Sequence, residues 1–141
     1  MAFLRSLDIS GSALTAQKQR MEVIAQNLAN SATTRAENGE SYRRKLVVFS
    51  KKTNGNNFGK ELGAALGGVE VTAIVEDNDG EKVEYNPTHP DANENGYVNL
   101  PNINTVEEMI DMMAASRSYE ANVTAFNAMK GMAMTALNIG K

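Results

Sequence analysis

The chain has 141 residues, 42% of them hydrophobic, and a net charge of −3, which is enough for one modest domain. It contains no cysteine, so disulfides and thiolate metal sites are excluded. The acidic balance argues against a general nucleic-acid binder.

The first element predicted by the pattern is a long helix over residues 4–30, about 40 Å in length at ~1.5 Å per residue. Apolar side chains recur in it every seven residues, which is the seam expected where one helix packs on another. This seam consists of Leu7, Leu14, Met21 and Leu28, with Ile24 and other small or apolar residues at neighbouring positions. Residues 1–9 lack the apolar run of a secretory signal peptide, so we expect no cleaved leader.

The middle of the chain is typical of β structure, with short β-branched runs between turn dipeptides. Residues 52–68 are rich in Gly and Asn and are predicted to form a mobile loop. Asp79-Gly80 separates two strand-like runs closely enough to predict a tight hairpin. The predicted strands are 42–50, 69–76, 82–85 and 97–100.

The second long helix is predicted to begin at Thr105. Its hydroxyl and the carboxylate of Glu108 have the spacing of a capping box, in which each side chain bonds the other residue's amide. An apolar stripe with alternating spacings of three and four follows, and six of the eight methionines lie in this segment. The stripe includes Met109, Met112, Tyr119, Val123, Phe126, Ala133 and Leu137.

Charge is concentrated in the middle of the chain. Residues 23–34 carry no charge, and residues 121–140 carry only Lys130. Because an exposed helix normally carries charge on its water-facing side, the two ends are predicted to be covered by protein. A small bundle core is the alternative, but the chain offers too few other helices to cover both stripes.

These patterns predict an α+β fold, in which two long terminal α-helices pack as an antiparallel coiled-coil-like pair and a small antiparallel β domain is inserted between them. The predicted units are an amino-terminal helix over 1–34, an inserted β-rich domain over 35–104, and a carboxy-terminal helix over 105–141 that completes the helical domain with 1–34.

Candidate chemical motifs fail in detail. His89, the only histidine, lies between two prolines, which favours a rigid exposed turn over a catalytic site. Residues 77–80 resemble a calcium loop, but the first and twelfth ligand positions would be Val75 and Asn86. Residues 55–60 have one residue too few between the glycines for a phosphate loop.

The basic cluster at residues 43–45 is interpreted as a solvated strand edge that resists unwanted pairing, with a partner-facing patch as the alternative. We therefore predict no enzyme activity, no catalytic residue, no metal site and no cofactor. A small enzyme or calcium module is the rival class that these failures disfavour.

Two asparagine-rich signatures resemble a known family. QNLAN at 26–30, followed by Thr and Arg at 33–35, is similar to the amino-terminal signature of the bacterial flagellar axial proteins of the rod and hook. YEANV at 119–123, followed by Asn127, is similar to their carboxy-terminal signature. The similarity is strongest to the proximal-rod members, over 87–91, 94–101, 108–111 and 115–117. The insertion of 35–41 before Tyr42 suits those members.

The resemblance implies a structural component of the proximal rod of the flagellar basal body, located in the periplasm and exported without a cleaved signal. Such a protein assembles through its terminal helices into a helical tube that transmits motor torque and lets export substrates pass. The implied partners are other copies of the chain, other proximal rod proteins, adjoining distal rod and basal-body components, and the flagellar type III export apparatus, with no nucleic acid and no membrane insertion. A cytoplasmic helical adaptor or export chaperone of a type III secretion system is the alternative.

The predicted assembly interface combines the two apolar stripes with the asparagines of the two signatures, whose side chains would bond between neighbouring helices. Its residues are Leu7, Leu14, Met21, Ile24, Asn27, Leu28, Asn30, Met109, Met112, Tyr119, Asn122, Val123, Phe126, Asn127, Ala133 and Leu137.

Overall fold

The computed structural model describes residues 2–36, 39–52, 67–77 and 79–139. Two long helices flank a small antiparallel β region, so the predicted α+β fold is confirmed. Most of the predicted loop over 52–68 and of the phosphate-loop-like segment lies outside the described residues. The elements are α1 (Ala2–Ala29), β1 (Lys45–Lys51), β2 (Val69–Glu76), β3 (Glu81–Tyr85), β4 (Tyr97–Pro101) and α2 (Thr105–Ile139).

The two helices pack on each other in antiparallel directions. Asn27, near the end of α1, bonds Glu108 in the first turn of α2, and Arg20, two turns earlier in α1, pairs with Asp111 at 3.4 Å. The contacts thus move backwards along α1 as they move forwards along α2.

The predicted capping box is wrong. The side chain of Asn104 accepts the amide of Val106 at 3.1 Å, and the Asn104 carbonyl accepts the amide of Glu108 at 3.0 Å, so Asn104 is the N-cap of α2. The Glu108 carboxylate does not turn back towards the helix start. It points into the protein, where it has stronger, charged partners.

The predicted hairpin at Asp79-Gly80 is also wrong. β2 pairs with β1 and β3 pairs with β4, each antiparallel, so the chain between β2 and β3 connects two separate two-stranded sheets. Gly80 has a φ of 68°, which suits glycine. The local turn signal was right, but β3 pairs along its whole length with β4 instead of with β2.

The β1–β2 sheet lies against α1, whereas the β3–β4 sheet is held mainly by the segment that follows α1. Ser41 donates to Glu81 at 2.6 Å, and Thr34 donates to Asp91 at 2.7 Å. The core is small for a chain of this length. Its fully buried apolar side chains, among the described residues, are Ala16, Val23, Ile24, Val98 and Ala115.

Candidate assembly surface and its polar joint

On α1, the predicted seam is half-buried in the single subunit. Side chains on the neighbouring face, which meets α2 and the β1–β2 sheet, are buried more deeply. The predicted seam therefore borders the contact that α1 makes with α2 and the β1–β2 sheet, and part of its surface stays exposed to solvent. Of the predicted residues on α1 and just after it, Ile24 and Asn27 are buried, and Leu7, Leu14, Met21, Leu28 and Asn30 are half-buried.

On α2, one face is half-buried along most of the helix, with the three-and-four spacing of the predicted stripe. Three predicted residues, Met109, Asn127 and Leu137, are exposed. The half-buried ones are Met112, Tyr119, Asn122, Val123, Phe126 and Ala133.

Several large apolar side chains of α2, including Met109 and Leu137, are more than half exposed in the subunit. They form two groups, one in the first turns of the helix and one at its far end, where Leu137 and Ile139 are 74% and 81% exposed. Exposed apolar side chains grouped in this way are a candidate contact surface. The first group is Val106, Met109, Ile110 and Met113, and the second is Met132, Met134, Leu137 and Ile139.

The signature asparagines have different roles. Asn122 donates to the carbonyl of Ser118 at 2.8 Å, and Asn30 donates to the carbonyl of Gln26 at 2.9 Å, so both bond their own helix or its end. Asn27 is 1% exposed and its bonds lie within the subunit. Its part is therefore in the subunit's internal architecture.

Asn27 uses both ends of its carboxamide. Its oxygen accepts from the backbone amide of Lys45 at 2.9 Å and from the hydroxyl of Tyr42 at 3.1 Å. Its nitrogen donates to the backbone carbonyl of Lys45 at 2.8 Å and to Glu108 at 3.1 Å. The side chain thus pairs with the first residue of β1 as a neighbouring strand would, and its donors and acceptors are satisfied.

Glu108 is the charged centre of the same group, and it is 1% exposed. Its second oxygen lies 2.6 Å from Nε of Arg44, a residue that keeps a quarter of its side chain in solvent. Desolvation and the nearby charges of Glu108 and Glu76 raise the pKa of the Tyr42 phenol. We call Asn27, Tyr42, Arg44 and Glu108 the polar joint, since it connects α1, β1 and α2.

Sequence reasoning missed the polar joint. The interpretation of residues 43–45 as a solvated edge is wrong for Arg44, which faces inwards to Glu108. The available signal was an asparagine within an uncharged helical segment and an acid on the seam side of α2. Neither reveals a partner that is 81 residues away in sequence.

The described residues show no arrangement typical of catalysis. His89 sits in a turn and accepts the backbone amide of Asp91 through Nδ1 at 3.1 Å. Nowhere in the described part of the chain do three or more acidic or histidine side chains cluster as metal ligands. Neither helix, over its described length, is sufficiently long and apolar to span a membrane.

Two terminal helices that enclose a small β insertion, and that leave apolar helix surface open, define a class of assembly proteins. Comparison with known proteins identifies the family within this class. Residues 7–36 match the family described as flagella basal body rod protein, and residues 94–139 match the flagellar basal body rod FlgEFG protein C-terminal family.

Relatives align over almost the whole chain. The flagellar basal-body rod protein FlgC of Bacillus subtilis is 50% identical, with 100% of both chains covered. FlgC of Escherichia coli O6:H1 is 44% identical over 100% of both chains, and that of Borreliella burgdorferi is 41% identical over 99% of this chain and 98% of the relative. The chain belongs to the FlgC family of flagellar basal-body rod proteins and is a structural component of the proximal rod. The cytoplasmic adaptor is not favoured.

Proposed function

We propose that the chain builds the rod through its two terminal helices, which order against neighbouring subunits to form a helical tube. The tube transmits motor torque and leaves a channel for export substrates. In this proposal residues 1–34 and 105–141 form the inner helical domain, and the β-rich insertion over 35–104 faces outwards. The proposal assigns the protein no catalytic role, in keeping with the structural role of its family.

The exposed apolar surface of α2 carries this proposal. Uncovered apolar groups on α2, whose residues 121–139 carry only Lys130 as a charged side chain, are best satisfied by other protein. Interfaces in permanent assemblies are apolar in this way because their surfaces are never exposed to water after assembly.

The proposed partners are other copies of the chain, the other proximal rod proteins, and the adjoining distal rod and basal-body components. Delivery by the flagellar type III export apparatus, without a cleaved signal, would place the protein in the periplasm. Family membership supports assembly with rod components. The export route and the individual neighbours are part of the proposal.

Leu137→Asp tests the helix surface with little disturbance of the subunit. Leu137 is 74% exposed, so the substitution should change the free energy of unfolding by well under ~1 kcal/mol. If assembly covers this side chain, an unpaired buried carboxylate would cost several kcal/mol, on the order of 3–5, at every copy. We expect a protein that is exported and folded but a strain that does not swim in soft agar.

Val83→Asp is the matched control. Val83 is also an exposed aliphatic residue, at 59%, but it lies on β3 in the outward-facing insertion. We expect this variant to swim. Normal swimming of Leu137→Asp together with loss of swimming in Val83→Asp would show that the β region, and not the helix end, is the assembly surface.

A further inference from the structure

The β1–β2 sheet is attached to α1 at both of its ends. At one end Asn27 bonds the backbone of Lys45, the first residue of β1. At the other end the hydroxyl of Ser12 accepts the backbone amide of Val69, the first residue of β2, at 3.1 Å. Lys51, the last residue of β1, pairs with Val69, so these two attachments hold opposite ends of one ribbon.

The spacing of the two attachments matches the length of the ribbon. Fifteen helical residues from Ser12 to Asn27 span about 22 Å at ~1.5 Å per residue. The seven residues of β1 span about 20 Å at ~3.3 Å per step. The ribbon therefore lies along the helix without a gap at either end.

Between the attachments, the ribbon packs on the same face of α1. Buried Ala16 and Val23 lie one helical turn inside the two attachment points. Val23 shares a cleft with Val47 and Phe49 of β1, and Ala16 shares one with Val71 of β2. Ser12, Ala16, Val23 and Asn27 recur at spacings of four, seven and four, which places them in one line along the helix.

Gly68 makes the Ser12 attachment possible. A Cβ atom on residue 68 would overlap Oγ of Ser12 and would lie 3.0 Å from its Cβ. The hydroxyl also donates to the carbonyl of Ile9 at 2.8 Å, which fixes its rotamer so that it can receive Val69. Both attachments thus recognise backbone groups, and neither depends on the side chain that the strand carries.

We infer that Asn27 and Ser12 are positioning residues that clamp the ribbon to α1 and so fix the orientation of the β region relative to the helical pair. This inference rests on the proposed function, in which the two helices form the inner domain of a tube that transmits torque and the β-rich insertion faces outwards. A ribbon held at one point can rotate about that point. A ribbon held at two points about 20 Å apart transmits a sideways force to the helix without rotating.

Distance measurement by double electron–electron resonance tests the clamp. The natural chain has no cysteine, so spin labels can be placed at exposed Glu22 on α1 and exposed Ala73 on β2 through Glu22→Cys and Ala73→Cys. We expect one narrow distance distribution in the otherwise unchanged monomer. Asn27→Ala removes two bonds to the ribbon and should lower the ratio of docked to undocked ribbon roughly 30-fold, which broadens the distribution.

Gly68→Ala tests the other end, where the polar joint is untouched. It should broaden the distribution through the overlap with Ser12. Ser12→Ala, which removes the hydroxyl that accepts the amide of Val69, should broaden it as well. Asn30→Ala and Thr15→Ala are matched controls, since their side chains bond only α1 or its end and the turn that follows. Both should leave the distribution unchanged.

Swimming is measured on the same variants, after circular dichroism has shown that helix content is retained. The inference expects both Gly68→Ala and Ser12→Ala to swim poorly. A narrow distribution in Gly68→Ala overturns the clamp. A broad distribution with normal swimming shows that assembly does not need the fixed orientation, and also overturns the inference. Either result leaves the test of the helix surface by Leu137→Asp unaffected.

Discussion

Replacing Arg44 with Met removes the guanidinium that neutralises a buried carboxylate. Glu108 is 1% exposed and lies 2.6 Å from Arg44, while the Arg44 side chain is 24% exposed. Breaking a buried pair by removing one partner costs about 3–5 kcal/mol, because the remaining charge has no compensation. For a domain of this length, the loss lowers the melting temperature by roughly 10–17 °C.

The second substitution, Glu108→Gln, gives the reasoning a sharper test. In the natural protein, this substitution removes the negative charge and leaves the Arg44 guanidinium without its partner, but Arg44 can turn further into solvent. It also weakens the hydrogen bond that Asn27 donates to residue 108. In the Arg44→Met background it removes the uncompensated charge. We therefore expect Glu108→Gln to destabilise the natural protein and to stabilise the Arg44→Met variant, a coupling of about 2 kcal/mol or more.

Urea unfolding of the monomer, followed by far-ultraviolet circular dichroism, measures the four corners of this cycle. Low protein concentration keeps self-association out of the result. The free energy of unfolding must depend on urea concentration with the same slope in all four proteins, so that differences between their midpoints report differences in stability. If Glu108→Gln fails to recover stability in the Arg44→Met variant, the Glu108 carboxylate is not held as a buried charge, and our account of the polar joint is refuted.

Three further predictions concern pH, local stability and the histidine. Because the pKa of Tyr42 is raised, its contribution to stability is complete below its ordinary pKa of about 10 and is lost as the pH rises through the raised value. Tyr42→Phe should remove a phenol that ionises above pH ~10 from an absorbance titration, and persistence of that phase would contradict the assignment. In the monomer, amide exchange should be slowest over 16–29 and fastest over 132–139, where cover is least; uniform protection along α2 would argue against assembly-dependent ordering. His89→Ala should be exported and swim normally, and a folded, exported but non-motile variant would reveal a role for the histidine.

The helices were predictable from the sequence because their signals are local and repeated. The pattern over 4–30 and the break before Thr105 correspond to α1 and α2 within a few residues. Strand positions were also approximately right, since β-branched runs and turn dipeptides mark them. The partner of each strand was not predictable at Asp79-Gly80, because a turn signal shows where the chain bends and does not show which strands pair.

Glu108 shows the same limit for a side chain. Its sequence position fits a capping box, but the geometry of the fold offers it Arg44 and Asn27, whose bonds are charge-assisted. A buried charge takes the arrangement that leaves it best neutralised, and tertiary structure determines that arrangement. The sequence patterns placed Asn27 at the surface between subunits, whereas its contacts with Lys45 and Glu108 lie inside one subunit.

The unequal lengths of the two helices have a mechanical consequence. α1 has 28 residues and α2 has 35, and their antiparallel pairing near Asn27 and Glu108 leaves the last turns of α2 projecting about 10 Å beyond the start of α1 at ~1.5 Å per residue. A subunit shaped in this way cannot stack with flush ends. If the proposed tube stacks such subunits along its axis, the projecting turns of one subunit would lie beside the next, and this overlap would resist slip between successive layers.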